Sequence, residues 1–306
     1  MKRILVTPRS LAGSEHPAIQ LLRDQGWEII FGPGGRLPDE AELLSLVPGC
    51  EGWLAGVEQV TVRVLDAADQ LRVISRNGSG VDNIPVEQAK RRGITVLSAA
   101  GANAQGVAEL TLGLALAAIR RFHLADRHLK EGKWARALAS ELNGKQVLVV
   151  GFGKIGRLVA QLFAAFGSSV SVVEPMEGAT GPFPKVELAT GMRSADLVTL
   201  HCPPLPDGRP LVTAELLKNS RRGLILINCA RRSLTDEIAV WAALETNQIA
   251  IYASDVFEEA SESAALVGHP NVIATPHLGA YTRESVDRAA LEAAENLTRF
   301  FAHAPS

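Results

Sequence analysis

The sequence predicts an α/β fold of two doubly wound parallel-sheet domains, one inserted in the other. Three observations predict it. Short apolar, β-branched runs alternate with helical periodicity through both halves of the chain, as parallel strands joined by right-handed crossovers require. A long helical stretch from Ala104 to Leu129 lies between the two halves. A final helical segment, from about Thr282 to His303, is placed to return to the first half, so that both chain ends complete one domain. The expected boundaries are 1–98 with 282–306 for the first domain and 99–281 for the inserted one.

Composition narrows the class further. A chain of 306 residues, 47% apolar and 21% charged, has the makeup of an ordinary soluble globular protein with room for two cores. A net charge of −2 gives no electrostatic case for nucleic acid or an anionic membrane surface. No apolar run is long enough to span a bilayer, and Met1 to Thr7 reads as a strand, not as a signal peptide. Cys50, Cys202 and Cys229 are odd in number and widely spaced, which fits reduced thiols in a cytoplasmic protein and no metal site.

In the first half, Arg3 to Thr7, Trp27 to Phe31, Gly52 to Ala55, Leu71 to Ser75 and Ile94 to Leu97 read as strands. Helices are expected over Pro17 to Gln25, from a cap at Asp39 to Leu46, and over Val62 to Ala67. The stretch from Ala104 to Leu129, weakly interrupted at Gly113, is apolar on more than one face. Burial against a second subunit and burial within its own both fit that pattern. In the second half, Asp196 to His201, Leu224 to Asn228, Ala250 to Ala253 and Val272 to Thr275 read as strands, with helices over Thr213 to Lys218 and Thr235 to Glu245.

The most informative stretch joins a strand, Gln146 to Val150, to Gly151-Phe-Gly153-Lys154-Ile155-Gly156 and a helical run from Arg157 to Phe166. Strand, glycine turn and helix in that order form the dinucleotide fingerprint. Gly151 is suited to the tight turn, Gly153 to close approach of a pyrophosphate, and Gly156 to packing of helix on strand. The helix N-terminus offers unpaired N–H groups and a positive dipole end to the phosphates. A second apolar run, Val170 to Val173, ends in Glu174. A carboxylate there accepts both ribose hydroxyls of NAD and repels the additional phosphate of NADP, so NAD is the expected cofactor.

Several further motifs stand in a fixed order: Asn77-Gly78-Ser79-Gly80-Val-Asp-Asn83, Asn103-Ala-Gln-Gly-Val-Ala-Glu109, the fingerprint, His201-Cys202-Pro203, Asn228-Cys229-Ala230-Arg231, Asp255-Val-Phe257 and Thr275-Pro-His277-Leu-Gly279. Together they resemble the D-isomer-specific 2-hydroxyacid dehydrogenase family, which includes phosphoglycerate dehydrogenases and glyoxylate/hydroxypyruvate reductases. The resemblance runs through nearly the whole chain. It implies two Rossmann-like domains, a homodimer, and NAD-dependent oxidoreduction between a small D-2-hydroxy acid and its 2-oxo acid.

By resemblance, Arg231 holds the substrate carboxylate and polarises the carbonyl, through a planar fork that lysine lacks. His277 is the acid/base, since imidazole suits proton exchange near neutral pH. Asn77, Gly78, Ser79 and Gly80 form the substrate loop, whose backbone N–H groups point at the carboxylate. The expected cofactor residues are Gly151, Gly153, Lys154, Ile155, Gly156, Glu174, His201, Cys202, Pro203, Cys229, Ala230, Asp255 and Gly279. Asp255 corresponds to a residue on the nicotinamide side, although a strand-ending cap also fits it.

The chain departs from the family pattern in three places. The glutamate that pairs with the catalytic histidine falls at Ala260, which leaves Glu259 as its replacement, with Glu258 and Glu262 as alternatives. Arg232 stands where the family usually has glycine. It adds a cation, either for a second anionic group or as a solvated charge. Gly56 falls where phosphoglycerate dehydrogenases place an arginine near the substrate phosphate. The substitution at Ala260 also admits a reading from another class: a catalytically poor NAD(H)-sensing binding protein of the corepressor type.

Overall fold

A computed structural model describes residues 1–176, 178, 180–257 and 263–303. The chain forms two compact units, one of Met1–Asn103 and Arg283–Ser306, the other of Ala104–Thr282.

The first unit is built on five parallel strands, β1 (Arg3–Val6), β2 (Glu28–Phe31), β3 (Gly52–Ala55), β4 (Val73–Arg76) and β5 (Thr95–Ser98), in the order β2-β1-β3-β4-β5. Successive side chains alternate across the sheet. Leu5, Trp53, Ala55 and Ile74 therefore pack on one face with Leu43, Val64 and Leu65, while Ile4, Val6, Leu54 and Val73 pack on the other. The second face is covered partly by the helix Arg283–His303. Its stripe of Ala290, Ala293, Ala294 and Leu297, at helical spacing, joins Ile19 and Leu22 in one core. Asp39 starts the helix Glu40–Leu46 with a complete capping box to Glu42.

The second unit holds β6 (Gln146–Val150), β7 (Ser169–Val173), β8 (Leu197–Leu200), β9 (Leu224–Asn228), β10 (Ile249–Ser254) and β11 (Val272–Ala274), all parallel, in the order β11-β10-β9-β8-β6-β7. Both faces are buried, which explains why these strands read as continuous apolar runs. Val147, Val149, Val172, Ile227 and Ala253 face the helices Ala104–Arg120 and Lys154–Ala165, while Leu148, Val198, Leu226 and Tyr252 face the opposite core.

Two features differ from the sequence expectation. The long helical stretch does not weaken at Gly113 but ends at Arg120, because Arg121 takes a left-handed conformation (φ 51°) and a second helix, Phe122–Lys130, follows. An arginine carries no turn signal, so nothing in the composition marks that break. The helix Ala104–Arg120 buries ten residues, with Ala108, Leu114, Ala115 and Ile119 in its own unit's core. Short helices at Val86–Arg91, Leu188–Ser194 and Ala264–Val267 also form where the apolar period is too brief to register.

Candidate active site

In an open parallel sheet, ligand-binding residues gather at the carboxyl ends of the strands. Six strands of the second unit end at one edge, and each is followed by a residue singled out above. Across the sheet, β7 leads to Glu174, β6 to Gly151, β8 to His201, β9 to Arg231, β10 to Asp255 and β11 to His277. Stretches far apart in sequence are thus placed side by side by topology alone.

The glycine turn has the geometry a dinucleotide needs. Gly151 has φ +94°, and a Cβ there would stand 2.6 Å from the His201 carbonyl oxygen, so only glycine fits. A Cβ on Gly156 would meet the Gly151 carbonyl oxygen at 2.0 Å, which is how closely helix and strand approach. At Gly153 the same construction meets nothing within 4 Å, leaving open space beside the helix N-terminus. The N-cap Gly153 provides no side-chain cap, so the helix Lys154–Ala165 turns its positive dipole end toward that space. Glu174 is anchored beside the turn: Oε2 accepts from Phe152 N–H (2.9 Å) and Oε1 from Met176 N–H (3.0 Å). A carboxylate has about four acceptor positions, so room for ribose hydroxyls remains. These residues fit NAD.

His201, Cys202 and Cys229 add no charge here. Burial pushes His201 down to about 3, so its imidazole is neutral at physiological pH, with Nε2 2.8 Å from Thr199 Oγ1. Burial likewise pushes the Cys202 thiol up to about 11 and Cys229 up to about 12. Both stay protonated and unreactive.

Asp255, expected beside the nicotinamide, also has a structural place. Only 2% exposed, its carboxylate accepts three hydrogen bonds: from Thr275 Oγ1 (2.6 Å), Leu278 N–H (2.7 Å) and Gly279 N–H (2.8 Å). It clasps the loop around His277, an exposed residue held at φ 55°, an uncommon conformation for a side-chain-bearing residue. The Asp255→Asn variant keeps the size but replaces one acceptor by a donor. A loss of roughly 1–3 kcal/mol is expected, read by calorimetry as a fall of several degrees in Tm, with kcat reduced alongside.

Arg231 follows β9 in extended conformation, with Nη1 donating to the Ala230 carbonyl (2.8 Å). Its loop is held by fully buried Asn228, which accepts from Ala230 N–H (3.0 Å) and donates to the Arg231 carbonyl (2.8 Å). Arg232 is neither a solvated charge nor a spare anion site. Its guanidinium makes a two-pronged pair with Glu237 (both 3.0 Å), and the Ser263 hydroxyl donates to the same carboxylate. Glu258, Glu259, Ala260 and Glu262 lie outside the described residues. Among the described residues, no group of His, Cys, Asp and Glu is arranged to hold a metal ion.

In the first unit, Asn77 to Gly80 follow β4, again at a carboxyl edge. Two of the four N–H groups are used internally: Asn77 donates to Ala55 (2.8 Å) and Gly78 to Arg76 (2.9 Å). The loop is tied down by Ser79, whose hydroxyl bonds Asn103 Oδ1 (2.6 Å) and accepts from Gly101 N–H (3.3 Å). Arg76 was not apparent from the motifs. Its guanidinium donates to the Asn77 carbonyl (2.8 Å) and lies where a side chain at Gly78 would go. At Gly56 a Cβ would stand 2.6 Å from Oε2 of the buried Glu58, whose other oxygen accepts from Gly56 N–H (2.9 Å) and Thr7 Oγ1.

A parallel sheet carrying a glycine turn, an acid after the next strand, and an arginine and a histidine at the same edge defines a dinucleotide-dependent oxidoreductase fold. Residues 112–279 match the model of the D-isomer specific 2-hydroxyacid dehydrogenase NAD binding domain. The D-3-phosphoglycerate dehydrogenase of Rattus norvegicus is 36% identical over 283 residues, covering 90% of this chain and 52% of the relative. The chain spans about half the length of the phosphoglycerate dehydrogenases it matches. Among solved structures, the TT0316 protein of Thermus thermophilus aligns over 98% of this chain and 97% of its own, at 34% identity and a TM-score of 0.87. The D-lactate dehydrogenase of Escherichia coli shares the fold, with a TM-score of 0.81 at 22% identity. The chain belongs to the D-isomer specific 2-hydroxyacid dehydrogenase family, and its cofactor is NAD.

Proposed function

We propose that the protein interconverts a small D-2-hydroxy acid and its 2-oxo acid, with Arg231 binding the carboxylate and His277 exchanging the proton on the C2 oxygen. The observation carrying this reading is the placement of Arg231 and His277 at the same sheet edge as the glycine turn and Glu174. NAD, when bound, supplies the hydride acceptor or donor for C2. Arg231 orients the acid by its charged fork and draws electron density from the carbonyl. His277 holds the proton that the C2 oxygen takes up on reduction and removes it on oxidation. The Asp255 clasp keeps that imidazole in place. The test is turnover of a panel of 2-oxo acids with NADH.

Glu174 sets the cofactor choice in this reading. The Glu174→Ala variant is expected to shift the NADPH-to-NADH ratio of kcat/KM toward NADPH by about tenfold, roughly 1.4 kcal/mol of lost repulsion and lost ribose contact. Among small acids, the glycine at position 56, where the family resemblance places an arginine near a substrate phosphate, bears against a phosphorylated substrate. Hydroxypyruvate and glyoxylate are therefore placed ahead of phosphohydroxypyruvate.

The protein is proposed to act as a homodimer in the cytoplasm. The helix Phe122–Lys130 has no fully buried side chain, and it leads into a segment exposing Trp134 (79%) and Leu138 (103%). These exposed apolar side chains are where the proposed association surface is placed. Sedimentation of the wild type is expected to give a dimer, and of the Trp134→Ser, Leu138→Ser double variant a monomer.

A further inference from the structure

We propose that Tyr252 is a positioning residue for Arg231: its buried hydroxyl bonds one end of the loop carrying that guanidinium and lies beside the other, and so sets affinity for the substrate carboxylate. The inference rests on the reading of Arg231 given above. It starts from a cost. Tyr252 is 1% exposed, inside a core with Leu226, Leu234 and Val240, its ring edge-on to Phe257 at 6.0 Å and 85°. A phenylalanine would fill nearly the same volume without burying a hydroxyl, and a buried hydroxyl is unfavourable unless bonded.

This hydroxyl is bonded, and its neighbours are the groups that shape the loop. It lies 3.2 Å from Thr235 Oγ1, with the side chains of Asn228 and Ser254 beside it. Strand register places it there: Tyr252 pairs with Leu226 and Ser254 with Asn228, so Tyr252 and Ser254 share one face and reach the end of β9 together. Asn228 fixes the start of the loop, through Ala230 N–H and the Arg231 carbonyl. Thr235 fixes its end, since its hydroxyl and its N–H both donate to the Arg232 carbonyl, at 3.2 and 3.1 Å. The chain between them, from Cys229 to Leu234, includes Arg231. One phenol thus bonds the clamp at the loop's end and lies beside the clamp at its start. A guanidinium bonding a carboxylate in two-pronged fashion is sensitive to small shifts of its backbone.

The experiment titrates oxamate, a planar analogue of a 2-oxo acid, into the NADH-loaded dimer or monomer as isolated, following NADH fluorescence. The Tyr252→Phe variant is expected to bind oxamate about tenfold more weakly, the effect of one lost buried hydrogen bond. NADH affinity should stay within about twofold of wild type. Thr235→Val, at the other end of the same bond, should give the same pattern. In an Arg231→Ala background, where oxamate is already bound weakly, Tyr252→Phe should add nothing. The proposal is overturned if Tyr252→Phe and Thr235→Val lower Tm and NADH affinity while oxamate affinity holds. It is also overturned if Tyr252→Phe weakens oxamate as much without Arg231 as with it. Wild-type oxamate affinity in Arg231→Ala alone would instead refute the carboxylate role of Arg231, on which the proposal stands.

Discussion

Replacing Arg231 with alanine is expected to lower kcat/KM for the 2-oxo acid about 10³-fold, roughly 4 kcal/mol, with NADH affinity nearly unchanged. The size follows from what is removed. The substrate carboxylate would enter the site without its counter-charge, and the carbonyl would lose the cation that withdraws its electrons. The guanidinium's bond to the Ala230 carbonyl is lost, but the loop itself should survive, because Asn228 and Thr235 still hold its backbone. Arg231→Lys is expected to recover only part of the loss, since a point charge cannot reproduce the fork. Steady-state kinetics with separate NADH titrations check both. Unchanged turnover in Arg231→Ala would remove this residue from the reaction.

The second large effect is expected at His277. His277→Ala should reduce kcat about 10³-fold, within the range by which positioned proton donors accelerate reactions. Its side chain is exposed and its loop is held by Asp255 through backbone N–H groups and Thr275, so the fold and NADH binding should persist. Added imidazole should restore part of the rate, because the position is open to solvent and can receive the missing group from it. The left-handed backbone at His277 gives a control: His277→Asn tolerates that conformation better than alanine does, so it should be at least as stable while equally impaired in kcat.

Much of this was legible in the sequence because the signals were local and redundant. The glycine turn is the clearest case: Gly151, Gly153 and Gly156 each had a steric task assignable from spacing, and the close approaches to His201 and Gly151 are those tasks carried out. Strands such as Gly52–Ala55 and Leu224–Asn228 were readable because a two-sided burial demands an unbroken apolar run. What escaped the sequence depends on contacts between distant stretches. Asp255 looked like a cofactor contact or a cap, and nothing near it in sequence announces the three donors it gathers from the loop at 275–279. Tyr252 sits in an apolar strand and reads as core, although its hydroxyl reaches Thr235 across the sheet edge. Arg232 looked like a surplus cation until the fold brought Glu237 and Ser263 against it. The break at Arg121 left no trace, since a non-glycine left-handed residue has no compositional mark.

The central claim is that the assembled edge performs hydride exchange on a small 2-oxo acid. Its most direct test follows NADH oxidation at several pH values with hydroxypyruvate, glyoxylate, 2-oxoglutarate and phosphohydroxypyruvate, repeated with NADPH. The account predicts turnover with NADH, preferred over NADPH, and faster with hydroxypyruvate or glyoxylate than with the phosphorylated acid. Tight NADH binding with no turnover of any of the four acids would contradict it and leave a nucleotide-sensing protein in its place.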